Sequence, residues 1–263
     1  MIYMQSIDMP SFKILKKAKF ALFAKTIEVD VNNVHRVLAY PDIKLLYNRI
    51  KKSGNSSIAL YLKDLIEGNY SWTQGDYHSV KDEALHSGVM SLSKLPVKDL
   101  YDINSYYLFT IFRNPYSRCL SAFLEKVADG RAGFEDVPGF QDPSTEGFER
   151  FVSYLESGGL YRDKHWWPQV ALLAWPPARF SYIGQLEYLE KELRYVLYNV
   201  GINFPSHVKI TGPHPAEKSG VNKYGSSKVK GATHKVSCFY SDRMYERVFY
   251  LYNNDFYVGR YNK

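Results

Sequence analysis

The chain has 263 residues, enough for one or two domains with a full apolar core. Lys and Arg number 34 against 27 Asp and Glu, for a formal charge of +7, and 45% of residues are hydrophobic, which excludes a disordered or low-complexity protein. Cys119 and Cys238 cannot by themselves make a disulfide framework or a zinc site, and no apolar run reaches the roughly 18 residues of a membrane span. A mildly basic globular protein with an anionic partner is the expectation.

In chain order, residues 1–40 carry weak signals and read as a variable N-terminal segment of a single domain spanning 1–263. Within that segment Phe12–Lys25 is basic and apolar, a surface helix or a stretch that touches a membrane face peripherally. Ile43–Ile50 reads as a short strand, and KKSGNSS as a polar loop. Ile58, Leu62, Leu65 and Ile66 then share one helical face. The same order returns at Tyr106–Phe112, the most strand-like run, which Arg113-Asn114-Pro115 ends because proline offers no donor to a continuing strand. Leu120, Phe123, Leu124 and Val127 follow at helical spacing. Phe180–Gly184 is a third strand, followed by a helix over Leu189–Val200 that Gly201 closes. Strands alternating with amphipathic helices predict an α/β fold with a central parallel sheet flanked by helices. Ala128–Gly147 and Thr211–Thr233 read as long loops. The second holds Lys218, Lys223, Lys228 and Lys230 and suits a lid over an anionic ligand. A last helix starts at Ser241, an N-cap.

Two junctions suit phosphate. At Lys51–Ser57 a strand passes through a glycine-bearing loop into a helix, whose N-terminus offers unpaired N–H groups and the positive end of a dipole. Gly54 allows close approach, Ser56 and Ser57 add hydroxyls, and Lys52 adds a charge. The lysines precede the glycine, so the Walker pattern of a nucleotide triphosphatase is absent. At Arg113–Ser121, an arginine stands at the carboxyl end of a strand, and Ser121 lies on the following helix; both can converge on one phosphate. The plain structural alternatives are a basic helix-capping turn and arginines paired with local acids such as Glu125. Cys119 reads as a buried small residue.

FTIFRNPYSRCLSAFLEK resembles the 3′-phosphate-binding segment of carbohydrate sulfotransferases, roughly R-D/N-P-x-x-R-x-x-S-A-F/Y. YNRIKKSGNSS is similar to their 5′-phosphosulfate loop, P-K-x-G/A-x-S/T-S/T, with Lys51 in place of the usual proline. DKHWWPQ, FSYIGQLEYLEKEL and VFYLYNNDFYVGRY resemble three further segments, so that matches run in order from Tyr47 to Tyr261. The resemblance implies a P-loop-related three-layer fold and a metal-free enzyme that moves a sulfuryl group from 3′-phosphoadenosine 5′-phosphosulfate to a hydroxyl of a glycan or glycoconjugate. It places Lys52, Ser53, Gly54, Asn55, Ser56 and Ser57 around the 5′-phosphosulfate, with Lys52 catalytic, and Arg113 and Ser121 on the 3′-phosphate. His165 occupies the histidine of DxHWxPQ and is the expected base, with Asp163 to orient it and Trp166 and Trp167 as sugar platforms. His78 and His86 are alternative bases; Glu125 and Glu187 are carboxylate alternatives, more readily read as structural. Without the long anchor and stem of vertebrate members, a cytoplasmic enzyme with no nucleic-acid partner is expected. The competing classes are a non-catalytic nucleotide- or polyanion-binding protein and an ATP-dependent phosphotransferase.

Overall fold

The computed structural model describes residues 25, 27–66, 89–203 and 232–263. His78, His86, residues 12–24 of the basic-apolar stretch and residues 211–231 of the expected lid lie outside them.

Five strands form one sheet: β1 (Val37–Tyr40), β2 (Leu45–Asn48), β3 (Met90–Ser91), β4 (Tyr107–Phe112) and β5 (Tyr182–Gln185). They lie in the order β3-β1-β2-β4-β5. The sheet is mixed. β2, β4 and β5 run parallel, with Asn48 opposite Thr110 and Phe112 opposite Gln185, whereas β1 pairs antiparallel with both β2 and β3. The expected all-parallel sheet therefore holds only for its three-stranded half. The reason is local: β1 and β2 are separated by a single turn of 3-10 helix, Pro41–Ile43, and Lys44 in the left-handed region at φ 48°. So short a link makes a hairpin, because a parallel crossover needs a dozen or more residues.

The strand pleat divides the core in two. Tyr47, Phe109 and Ile111 point to the face covered by α1 (Asn55–Ile66) and α5 (Leu189–Asn199), burying Ile58, Leu62, Leu193 and Leu197 there. Leu46 and Leu108 point the other way, against Leu92, Leu100 and Ile103 from the segment around α2 (Val97–Tyr101) and against Ala174 and Trp175. Beyond the sheet lies a helical cluster. It is built by α3 (Pro115–Ala122), α4 (Thr145–Glu156), α6 (Ala232–Phe239), α7 (Asp242–Leu251) and α8 (Asn253–Gly259) around Phe123, Phe148, Phe151 and Trp166. Ser144 and Ser241 cap α4 and α7, their hydroxyls accepting from the N–H of Gly147 and Met244. Among the described residues no helix is long and apolar enough to cross a membrane.

Candidate functional site

β2, β4 and β5 end at one edge of the sheet, and the loops that follow them meet there. Open α/β sheets bind ligands at such an edge, beyond the carboxyl ends of parallel strands. After β2 the chain turns through residues 51–54 into α1. Lys52 holds φ 67° and Gly54 φ 64°. A lysine in the left-handed region is strained by about 1–3 kcal/mol, a cost that recurs at functional turns. A Cβ on Gly54 would stand 2.7 Å from Leu186 Cδ1, so a side chain there would be strained and would oblige that leucine to shift. Ile58 N–H donates to Gly54 C=O at 2.9 Å, and the amides of the first helical turn before it are left for an external acceptor.

β4 runs straight into α3. Asn114 caps that helix: its side-chain oxygen accepts from Tyr116 and Ser117 N–H, and Pro115 takes the first helical position, where no N–H is needed. This fixes Arg113 at the edge. Its guanidinium donates to Ser117 Oγ at 3.0 Å, to Lys52 C=O at 3.3 Å and to Thr233 Oγ1 at 3.0 Å. Arg113 thus touches the first loop, its own helix and the start of α6. Ser121 is half-buried one turn beyond Ser117 on the same helix face.

Three buried polar residues lock these loops together. Gln169 Oε1 accepts from Ser53 Oγ at 2.7 Å and from Arg113 N–H at 2.9 Å, while its Nε2 donates to Arg113 C=O at 2.9 Å. Asp255 holds Gln169 in turn, accepting from the backbone N–H of Gln169 at 2.7 Å and of Val170 at 3.0 Å. Arg118, fully buried, donates to the carbonyls of Lys51 at 3.0 Å and Trp167 at 2.7 Å. The Ser53 hydroxyl is therefore spent inside the protein.

Beyond α3 the helix widens into a π turn over Phe123–Ala128, and Glu125 from this turn pairs with Lys52 and, at 3.0 Å, with Lys126. Burial pulls the Lys52 ammonium down to about 8 against the pull of Glu125. Burial also opposes the Glu125 carboxylate, but the two lysines outweigh it and hold Glu125 at about 2. The pair is charged at neutral pH, with the Lys52 side chain only 9% exposed.

A second cluster stands beside this edge. His165 Nδ1 faces Asp163 Oδ1 at 2.6 Å, and the same oxygen accepts from His165 N–H at 2.7 Å. Lys51 Nζ lies 3.4 Å from His165 Nε2. Burial lowers the His165 pKa; the Asp163 hydrogen bond opposes this and the Lys51 charge adds to it.

A sequence profile of the sulfotransferase family matches residues 35–262. The chain belongs to the sulfotransferase family. Carbohydrate sulfotransferase 10 of Xenopus laevis is 26% identical over 236 residues, covering 81% of this chain and 64% of that protein. Carbohydrate sulfotransferase 10 of Danio rerio is 24% identical over 257 residues, 87% of this chain and 67% of that protein. Carbohydrate sulfotransferase 14 of Danio rerio is 29% identical over a shorter stretch of 134 residues, 45% of this chain and 36% of that protein. The chain thus spans roughly two thirds of the length of the carbohydrate sulfotransferase 10 relatives it matches. No solved structure matches it significantly.

For a sulfotransferase-family chain, the structure brings the expected residues together unevenly. Lys52, Gly54 and Arg113 share the strand-end edge, and Asn55, Ser56 and Ser57 open α1 beside them. Trp166 does not serve as a sugar platform: it is 1% exposed and donates its indole N–H to Gly159 C=O inside the helical cluster. Trp167 is half-buried, with the Lys164 ammonium 5.4 Å from its ring centre. Glu187 accepts from Asn114 N–H at 2.9 Å and from Tyr261 O–H at 2.6 Å, which ties the start of α3 to the C-terminal segment. Burial pushes the Cys119 thiol up to about 12, which leaves it inert. Gln169, Asp255 and Arg118 were missed as organisers of the site. Gln169 and Asp255 lie in two of the segments quoted above, but nothing in their spacing says that they touch.

Proposed function

We propose that this chain transfers a sulfuryl group from 3′-phosphoadenosine 5′-phosphosulfate to a hydroxyl of a glycan. The observation that carries the reading is the buried Lys52 on the strand-end loop, whose ammonium pairs with Glu125 and whose carbonyl accepts from the Arg113 guanidinium. The donor set fits a nucleotide with phosphates at both ends: a lysine and helix-N-terminal amides for one, and an arginine with helix hydroxyls for the other. The P-loop relationship is part of the same reading. Its support is the parallel β2-β4-β5 half of the sheet and a glycine loop entering a helix at its edge.

The chemistry follows from positioning and charge. In the transfer the acceptor oxygen bonds to sulfur, the bond from sulfur to the 5′-phosphate oxygen breaks, and adenosine 3′,5′-bisphosphate is the product. Lys52 neutralises charge that grows on the departing oxygen, where a prepaid cation in a dry site is worth most. Arg113 and the α3 hydroxyls orient the nucleotide by its 3′-phosphate. His165 takes the hydroxyl proton on Nε2, because Asp163 holds the ring proton on Nδ1. Glu125 is the poorer base: two lysines keep it ionised to about pH 2, so it has little affinity for a proton at neutral pH.

Incubating the chain with donor carrying radiolabelled sulfate and a panel of glycans tests the reading. Label in a glycan, with release of adenosine 3′,5′-bisphosphate, is expected. Tight bisphosphate binding without transfer to any glycan would favour a binding protein instead, and transfer from ATP a phosphotransferase.

A further inference from the structure

His165 has one lone pair with which to take a proton, and in this structure that lone pair is in use. With Nδ1 facing the Asp163 carboxylate, the ring proton lies on Nδ1 and the lone pair on Nε2. The group 3.4 Å from Nε2 is the Lys51 ammonium, which has donors and no acceptor, so the contact is a donation onto that lone pair. A base cannot collect a second proton there until the ammonium leaves.

The main chain of Lys51 is anchored and its side chain is crowded. Arg118 Nε donates to Lys51 C=O at 3.0 Å, which fixes the loop. Burial disfavours the ammonium, Asp163 favours it, and the charges of Arg36, Lys126 and Lys164 all oppose it. An ammonium placed among like charges gains by turning to any anion that arrives beside it. The next residue along the loop is Lys52, where the proposed function seats the 5′-phosphosulfate. The charged groups acting on His165 itself are Asp163 on its own loop, Lys51 from the β2–α1 loop and Lys126 from the π turn, with the Phe134 ring edge-on at 6.1 Å.

We propose that Lys51 gates the base: in the donor-free enzyme its ammonium covers His165 Nε2, and an anion on the Lys52 loop draws it away and frees Nε2 for the acceptor hydroxyl. The proposal rests on the reading of His165 as the base. Its consequence is order: proton removal becomes available only when a nucleotide anion occupies the Lys52 loop. Lys51 stands where the resembling family pattern has proline, which has no side-chain donor, so the device belongs to this chain's own residues.

Histidine titration by NMR on the full chain tests it, with the His165 signal assigned by its loss in His165→Gln. Wild type, Lys51→Met and Lys51→Arg are compared, empty and saturated with adenosine 3′,5′-bisphosphate, and bisphosphate binding by each variant confirms that it is folded. In the empty proteins, Lys51→Met should move the His165 midpoint upward, because a neighbouring cation is gone, and Lys51→Arg should bring it back down. Bisphosphate should raise the midpoint further in wild type than in Lys51→Met, where no cation remains to leave. Equal midpoints in empty wild type and Lys51→Met, or equal rises with ligand, would overturn the gate. The two readings fail separately. If His165→Gln keeps its turnover, the base assignment falls whatever the titrations show; if turnover is lost but Lys51 does not affect the titration, only the gate falls.

Discussion

Lys51 and Lys52 are adjacent in sequence and belong to different kinds of site. Lys52 points into a stiff floor, where Glu125 answers its charge and the surrounding backbone is tied down by Gln169, Asp255 and Arg118. Lys51 points into the half-buried His165 corner, where Asp163 favours its charge and Arg36, Lys126 and Lys164 oppose it. The floor is organised before any ligand arrives, so it can hold a charge in place through a reaction without reorganising. The corner is electrostatically unsettled, which suits a group that must change partners during a cycle. The comparison separates a residue that stabilises charge from one that regulates access to a base.

Breaking the corner should cost the most turnover. His165→Gln removes the base, and kcat should fall by about 10²–10⁴-fold while affinity for adenosine 3′,5′-bisphosphate stays near wild type. Steady-state kinetics together with calorimetric titration check both halves; a kcat within a few-fold of wild type would move the base elsewhere, with His78 and His86 next in line.

Breaking the floor should cost somewhat less and leave a signature in pH. Lys52→Ala should lower kcat by about 10²–10³-fold, more than it weakens donor binding. Lys52 must be protonated to act and titrates at about 8 in the free protein, so kcat/KM should decline as pH rises through about 8. An arginine stays charged there, so Lys52→Arg should displace that decline to higher pH. His165 must be neutral to act, and its lowered pKa places the acid-side decline below the ordinary histidine range. An alkaline limb that does not move in Lys52→Arg would detach the charge from Lys52.

A smaller effect on catalysis and a large one on folding are expected at Asp255, whose carboxylate is fully buried. Asp255→Ala leaves the N–H groups of Gln169 and Val170 without their acceptor and should cost about 3 kcal/mol of stability in urea unfolding. A loss under about 0.5 kcal/mol would mean that Gln169 is positioned by other contacts.

How much of this was legible in the sequence depends on the range of the interaction. β4, α5 and the Ser241 cap are written in local periodicity and turn chemistry, and they appear within a residue or two of where the pattern puts them, whereas α1 starts at Asn55, three residues inside the stretch that reads as loop. β1 was not legible, being four residues long in a weakly patterned stretch and identified as a strand only by pairing with β2. The π turn was not legible either, because Phe123, Leu124 and Val127 suit an ordinary helix equally well. Lys52 and Arg113 could be picked out by their place at strand ends. Gln169 could not, since its role depends on bonds to Ser53, 116 residues away, and to Arg113, 56 away. The Lys51–His165 contact spans 114 residues and has no local signal at all.

The central claim is that the strand-end edge holds a nucleotide phosphorylated at both ends, with Arg113 reading the 3′-phosphate. Calorimetric titration of wild type and Arg113→Ala with adenosine 3′,5′-bisphosphate and with adenosine 5′-phosphate tests it most directly. Wild type should prefer the bisphosphate, and Arg113→Ala should lose about 1.5–3 kcal/mol of that preference, the worth of a charged hydrogen bond, with little change for the monophosphate. Equal losses for both ligands, or a preference that survives Arg113→Ala intact, would contradict the account.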